Sequence, residues 1–273
     1  MNIEFYNSQV QYNVALAFEL GMDVPETLFL GNLEDKDEIF FSPEWDILSH
    51  NFALRHIEGI EITASAFWNG ESFSYFTLSS RDNYLLSGAQ GIKLSDNILT
   101  CWSGKLNITK KIFKRIEEKL LNEEFIGFVH FDIVLDEDRA YYQKITFGST
   151  VDFITCLSEL HDKHMDVLTR DEDKRPRGFA SSLRLFVYPY DPDTNILYID
   201  SCVREKRFNQ SPIIVQKGDE SYILCRKGST IKDSWREIYK DTKGLALHGI
   251  CFRTDGGRKA RRIFNEIKRR QYA

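Results

Sequence analysis

Between Phe128 and Thr150 the sequence alternates in a way that leaves few folds open. Phe128-Val129-His130-Phe131-Asp132-Ile133-Val134-Leu135 is rich in the β-branched and aromatic residues that strands favour. Asp136-Glu137-Asp138 follows as an acidic turn, and Tyr141-Tyr142-Gln143-Lys144-Ile145-Thr146-Phe147 runs back before Gly148. Strands joined by so short a turn pair antiparallel, so this stretch predicts a hairpin with one buried face. A second hairpin is signalled at Asn69-Gly70, between Ile60–Trp68 and Ser72–Leu78, because Asn-Gly supplies the positive φ that tight hairpin turns require.

Helices punctuate these strands. Thr109–Leu121 carries Ile112, Phe113, Ile116, Leu120 and Leu121 at helical spacing with charges on its other face, and Thr109 suits an N-cap. Val14–Leu20 predicts a short helix stopped by Gly21, and Val151–Leu168, Ile231–Asp241 and Lys259–Arg270 predict three more. A further strand-rich unit runs through Ser182–Tyr188, Ile196–Ile199 and Ser221–Cys225. The pattern divides the chain into a segment 1–56, a core 57–170 and a small sheet/helix domain 179–273. It predicts an α+β fold, an antiparallel sheet with flanking helices.

The 273 residues, 42% hydrophobic and 28% charged, can bury a substantial core. The net charge of −5 gives no global attraction to nucleic acid or an anionic membrane. From Arg253 to Ala273, however, eight basic residues face only Asp255 and Glu266, a net of +6. This end is read as a solvated amphipathic helix rather than as a nucleic-acid contact. Five widely spaced cysteines without a CxxC pair point to a reducing, cytoplasmic setting in which the thiols are small buried hydrophobes. No apolar run reaches the roughly 18 residues of a membrane span, so no membrane partner is expected. His161 and His164 have a spacing that can bind a metal, but a solvated helix face is the plainer reading.

Several of these segments, in order, resemble the ATP-grasp family of the glycinamide ribonucleotide synthetase (phosphoribosylamine–glycine ligase) type. Ile57-Glu58-Gly59-Ile60-Glu61-Ile62, followed by Phe67-Trp68-Asn69-Gly70, resembles that family's strand "x-x-Gly-x-Glu-x-Ser… x-Phe-x-Asn/Asp-Gly". Glu61 then stands where a carboxylate holds the ATP ribose. Leu85–Gly91 resembles the start of its glycine-rich substrate segment, although later glycines are replaced by Ser95 and Ile98. Cys225-Arg226-Lys227-Gly228 with Ser234–Tyr239, and Phe252-Arg253-Thr254-Asp255-Gly256-Gly257-Arg258-Lys259-Ala260, resemble its C-terminal motifs. There Arg253 and Asp255 suit a structural pair that fixes a turn.

Matched on Phe147-Gly148, the family's return strand Glu-x-Asn-x-Arg-Phe-Gly-Asp-Pro places Tyr142 at the Glu position and Lys144 at the Asn position. That Glu and Asn hold magnesium on the ATP phosphates. A hard dication takes carboxylate, phosphate and water oxygens, which a phenol and an ammonium do not replace. Asp132 is the carboxylate left for a metal, with Glu61 and Lys144 as the candidate ATP contacts. Only 56 residues precede Ile57, too few for the family's substrate domain and phosphate-gripping subdomain.

The resemblance therefore implies an ATP-grasp-like sheet with a small C-terminal sheet/helix domain, and a degenerate homologue that binds or scaffolds rather than ligates. No cofactor is expected. An active carboxylate–amine ligase using ATP and magnesium at a non-standard metal site is the alternative. The shortened start predicts an apolar sheet face covered partly by Val10–Leu20 and Leu28–Phe41, and partly by a second copy or a protein partner.

Overall fold

The computed structural model describes residues 10–29, 44–49, 52–82, 98–103, 107–136, 139–161, 178–187, 213–215, 221–244 and 250–270. The expectations at Leu85–Gly91, Ser95, His164 and Ile196–Ile199, and residues 30–41 of the expected covering segment, lie outside them. The elements, in order, are α1 (Val10–Glu19), β1 (Thr27–Phe29), β2 (Trp45–Ser49), β3 (Phe52–Arg55), β4 (Ile60–Trp68), β5 (Phe73–Asp82), β6 (Ile98–Ser103), α2 (Asn107–Asn122), β7 (Gly127–Asp136), β8 (Arg139–Phe147), α3 (Val151–Leu160), β9 (Phe179–Val187), β10 (Ile213–Val215), β11 (Ser221–Gly228), α4 (Ile231–Gly244), β12 (Ile250–Cys251) and α5 (Arg258–Arg269). This is the mixed α+β, antiparallel architecture that the alternation predicts.

The chain forms two compact units that exchange it repeatedly: 1–78, 104–149 and 267–273 make the first, and 79–103 with 150–266 the second. In the first, β5, β4, β7 and β8 are neighbours in that order, and β1, β3 and β2 form a small separate sheet. Asn69 closes the β4–β5 turn, its Oδ1 accepting from the backbone N–H of Glu71 and Ser72 at 2.9 and 2.8 Å. Gly59 lies against β7 so closely that a Cβ would fall 2.5 Å from Val134 Cγ1 and 2.7 Å from the Leu135 carbonyl. This supplies a packing reason for glycine two residues before Glu61.

Helix α2 starts two residues before the expected Thr109 and buries Ile112, Phe113, Ile116 and Leu120 as its spacing predicts. Leu121, assigned to the same stripe, is exposed instead. The Phe113 ring meets Phe73, Phe76 and Phe131 with centroids 4.8, 5.6 and 5.1 Å apart. Helix α1 packs on β8, burying Val14, Leu16 and Ala17, so the N-terminal segment does cover part of the sheet.

In the second unit the strand order is β10, β11, β9, β6, with β12 also on β9. Thr150 caps α3, its hydroxyl accepting from the Phe153 N–H at 3.4 Å. The helix expected to reach Leu168 stops at Leu160, and the residues from 162 lie outside those described. Leu183, Leu185, Leu224, Ile231, Trp235, Ile238 and Ala260 form the core under α4 and α5. On the opposite face of β9, Arg184 grips Asp152 in the first turn of α3, Nη2 to Oδ2 at 2.6 Å and Nε to both carboxylate oxygens at 3.2–3.3 Å, with both side chains buried.

Three of the five cysteines, distant in sequence, meet on the α3 side of the sheet, the face opposite that core. Cys101 of β6, Cys156 of α3 and Cys225 of β11 are free and buried, with Cys225 Sγ 3.6 Å from Cys156 Sγ. Burial pushes the Cys101 and Cys225 thiols up, so both remain protonated near neutral pH. These three thiols are buried, as expected of them, although nothing in their spacing announced the cluster.

Candidate functional site

The candidate site is one face of the three strands β4, β7 and β8. Cross-strand partners share a face. The register pairs Thr63 with Asp132 and Asp132 with Lys144, Glu61 with Val134 and Val134 with Tyr141, and Ser65 with His130 and His130 with Thr146. Glu61, Asp132 and Lys144 therefore lie on a single face, Asp132 and Lys144 directly opposite one another. Glu61 and Lys144 are exposed and Asp132 is half-buried. The Thr63 hydroxyl donates to Asp132 Oδ1.

Tyr142 does not join them. The β7–β8 register shifts between Asp132 and Ile133, whose partners are Lys144 and Tyr142, leaving Gln143 as an extra residue on β8. Such a bulge turns the strand. It puts Tyr142 on the opposite face, beside Ile133 and under α1, 1% exposed. Its hydroxyl donates to Asn13 Oδ1, which also accepts from the Ile145 N–H at 2.8 Å, while Asn13 Nδ2 donates to the Ile145 carbonyl at 2.6 Å. Burial pushes the phenol up from its ordinary value, so it stays protonated as a donor. The sequence matching set Tyr142 and Lys144 two residues apart on one strand, hence on one face. The bulge separates them.

Asn13 was invisible to that matching, because its partners lie more than a hundred residues away. Removing it in Asn13→Ala leaves the Tyr142 hydroxyl and both Ile145 backbone groups without their buried partner. Urea denaturation should show a loss of about 2 kcal/mol, and an unchanged midpoint would contradict this description of the α1–β8 contact.

Two more polar residues on the face also escaped the sequence reading. Ser65 Oγ lies 2.7 Å from His130 Nδ1, and His130 Nε2 lies 2.6 Å from the Gly148 carbonyl. The carbonyl can only accept, so Nε2 carries the proton and Nδ1 accepts from Ser65. Both side chains are buried, which makes them a strut between β4, β7 and the end of β8.

The donor set does not suit magnesium. Asp132 has one oxygen engaged by Thr63, and its cross-strand neighbour is an ammonium that repels a dication. Among the described residues no three His, Cys, Asp or Glu side chains are grouped to hold a metal ion. The face can present one carboxylate, one amine and, a strand away, the Glu61 carboxylate.

No family model matches the sequence, and no curated protein matches it. Solved structures do. Over 90% of this chain and 78% of the other, the fold superposes on phosphoribosylamine–glycine ligase from Thermotoga maritima with a TM-score of 0.60 at 14% identity. It is also similar to the biotin carboxylase domain of a single-chain bacterial carboxylase (TM-score 0.54, 9% identity, 99% and 75% of the two chains). N5-carboxyaminoimidazole ribonucleotide synthetase from Thermus thermophilus gives the same score and identity over 89% and 73%. The chain thus has an ATP-grasp-like fold. Within that class it resembles glycinamide ribonucleotide synthetase, as its motifs predict.

Proposed function

We propose that this protein keeps the ATP-grasp fold without its Mg·ATP-dependent ligation, and acts by binding. One observation carries the reading: at the family's metal-bearing strand, the bulge at Gln143 turns Tyr142 into the core, and Lys144 stands beside the remaining carboxylate, Asp132. Carboxylate activation through an acylphosphate depends on cations that stabilise charge on the transferring phosphoryl group. Losing one such stabiliser typically costs a few kcal/mol of barrier. Losing several leaves little catalysis.

The alternative, a working carboxylate–amine ligase, draws on Glu61 and Asp132 sharing a face. Calorimetry with Mg·ATP separates the two. No binding tighter than about millimolar is expected, about −4 kcal/mol. A micromolar, magnesium-dependent signal lost in Asp132→Ala would overturn the proposal.

A binding role in the cytosol with a protein partner or a second copy completes the reading. It is supported by Phe18, Leu121 and Ile126, large apolar side chains exposed on the first unit, and by the lack, among the described residues, of a helix long and apolar enough to cross a membrane.

A further inference from the structure

The basic C-terminal segment, read from sequence as a solvated helix face, forms part of a built groove. Between α4 and the turn leading into α5 lies a cavity of about 470 Å³ with Lys232 and Arg236 on one side and Arg258 and Arg261 on the other. We propose that this groove binds the phosphate backbone of nucleic acid, without reading its bases. The site is separate from the strand face considered above.

Its electrostatics are one-sided. The carboxylate in the lining, Asp255, is tied to Arg253 by two bonds of 2.8 and 2.6 Å, and that guanidinium holds the carboxyl below the usual carboxylate range. Arg236 is 64% exposed, and its bonds to Asp233 at 3.2 Å and to Glu237 at 3.3 Å are surface ion pairs, a kind worth little in water. Lys232 and Arg236 are one helical turn apart, and so, nearly, are Arg258 and Arg261, giving two short rows whose members have Cβ atoms about 5–6 Å apart within each row. Three of the four are arginines, whose planar fork suits phosphate oxygens.

The floor argues against a base-reading pocket or a protein interface. Trp235 is 3% exposed, its Nε1 donating to Thr100 Oγ1 at 3.1 Å. Gly256 and Gly257 lie on its indole so closely that a Cβ on either would sit 2.2–2.3 Å from the ring. Tyr239 spends its hydroxyl on the Gly256 N–H and the Arg253 carbonyl. Its ring packs against Trp235 and Phe252, with centroids 5.6 and 6.3 Å apart, so among the described residues the groove offers little of the open aromatic face that bases stack on or of the apolar anchor that protein hot spots use. Cations without an apolar centre bind polyanions by releasing counterions. A polymer also engages several of these cations at once, which an isolated phosphate does less well.

The test is fluorescence anisotropy of a labelled oligouridylate of about 20 nucleotides, titrated with the full chain between about 50 and 200 mM salt. Four cations on a single strand give a slope of log K against log salt of about −3. The exposed triple variant Lys232→Ala/Arg236→Ala/Arg258→Ala should lose about two units of that slope and bind at least about tenfold more weakly at the lowest salt. Arg236→Lys/Arg258→Lys, which preserves charge and fold, should keep the slope. Lys110→Ala/Lys111→Ala/Lys114→Ala on α2 should change neither. Three results would overturn the proposal: equal losses from the α2 variant, displacement of RNA by polyglutamate of matched charge, or displacement by micromolar pyrophosphate. The last would assign the groove to a small phosphate ligand. None of these outcomes bears on the Mg·ATP calorimetry.

Discussion

Arg184→Ala should destabilise the protein by about 3–5 kcal/mol, a large share of a typical domain's stability. The charge pair with Asp152 lies buried between β9 and α3, bonded through Nε and Nη2. Removing the guanidinium strands an ionised carboxylate in the core, and that penalty, more than the lost attraction, sets the magnitude. Asp152→Ala should cost a similar amount for the mirror-image reason. The double variant Asp152→Leu/Arg184→Met should recover much of the loss, since apolar residues of similar volume replace buried pairs at little cost. Urea denaturation of the three variants decides it. Single-variant losses below about 1 kcal/mol would mean that water reaches the pair.

Tyr142→Glu, which installs the glutamate that the sequence resemblance sets against Tyr142, should destabilise the protein without creating a magnesium site. The side chain would enter the core face under α1, where Tyr142 is 1% exposed and bonded to Asn13. An ionised carboxylate there costs at least about 3 kcal/mol. The pH dependence carries the signature. Burial raises the folded pKa of such a glutamate above the unfolded value of about 4.3. Below that value both states hold the proton and only the packing loss remains. As pH rises the unfolded state ionises first, so the penalty grows towards neutrality. A variant as stable at pH 7 as at pH 4 relative to wild type, or one gaining magnesium affinity, would place residue 142 on the other face.

The two examples differ in what the sequence can express. The β4–β5 turn at Asn69-Gly70 and the α2 stripe of Ile112, Phe113, Ile116 and Leu120 follow from neighbours in the chain, and both are readable from it. Glu61, Asp132 and Lys144 were readable as candidates, and their common face follows from strand alternation once the register is known. The bulge at Gln143 was not readable, because one added residue leaves composition unchanged while turning Tyr142 to the other side. Asn13, the Ser65–His130 strut and the meeting of Cys101, Cys156 and Cys225 depend on contacts between distant segments, which local periodicity does not encode. The groove at Arg258 is an intermediate case. Its charge is plain in the sequence, but its second wall, Lys232 and Arg236, is supplied by another helix.

The exchange of chain between the two units sets a timetable for synthesis. Thr100 leaves the ribosome long before its partners: Ser181 follows 81 residues later and Trp235 135 residues later. At about 5–20 residues per second, β6 waits on the order of ten seconds for the indole that covers it. During that interval Cys101 and Trp102, buried in the finished protein, have no core to enter. For the same reason neither unit can be produced as one uninterrupted fragment. A chain starting at Thr150 lacks β6, and one ending at Ser149 carries β6 without β9, its partner in the second unit.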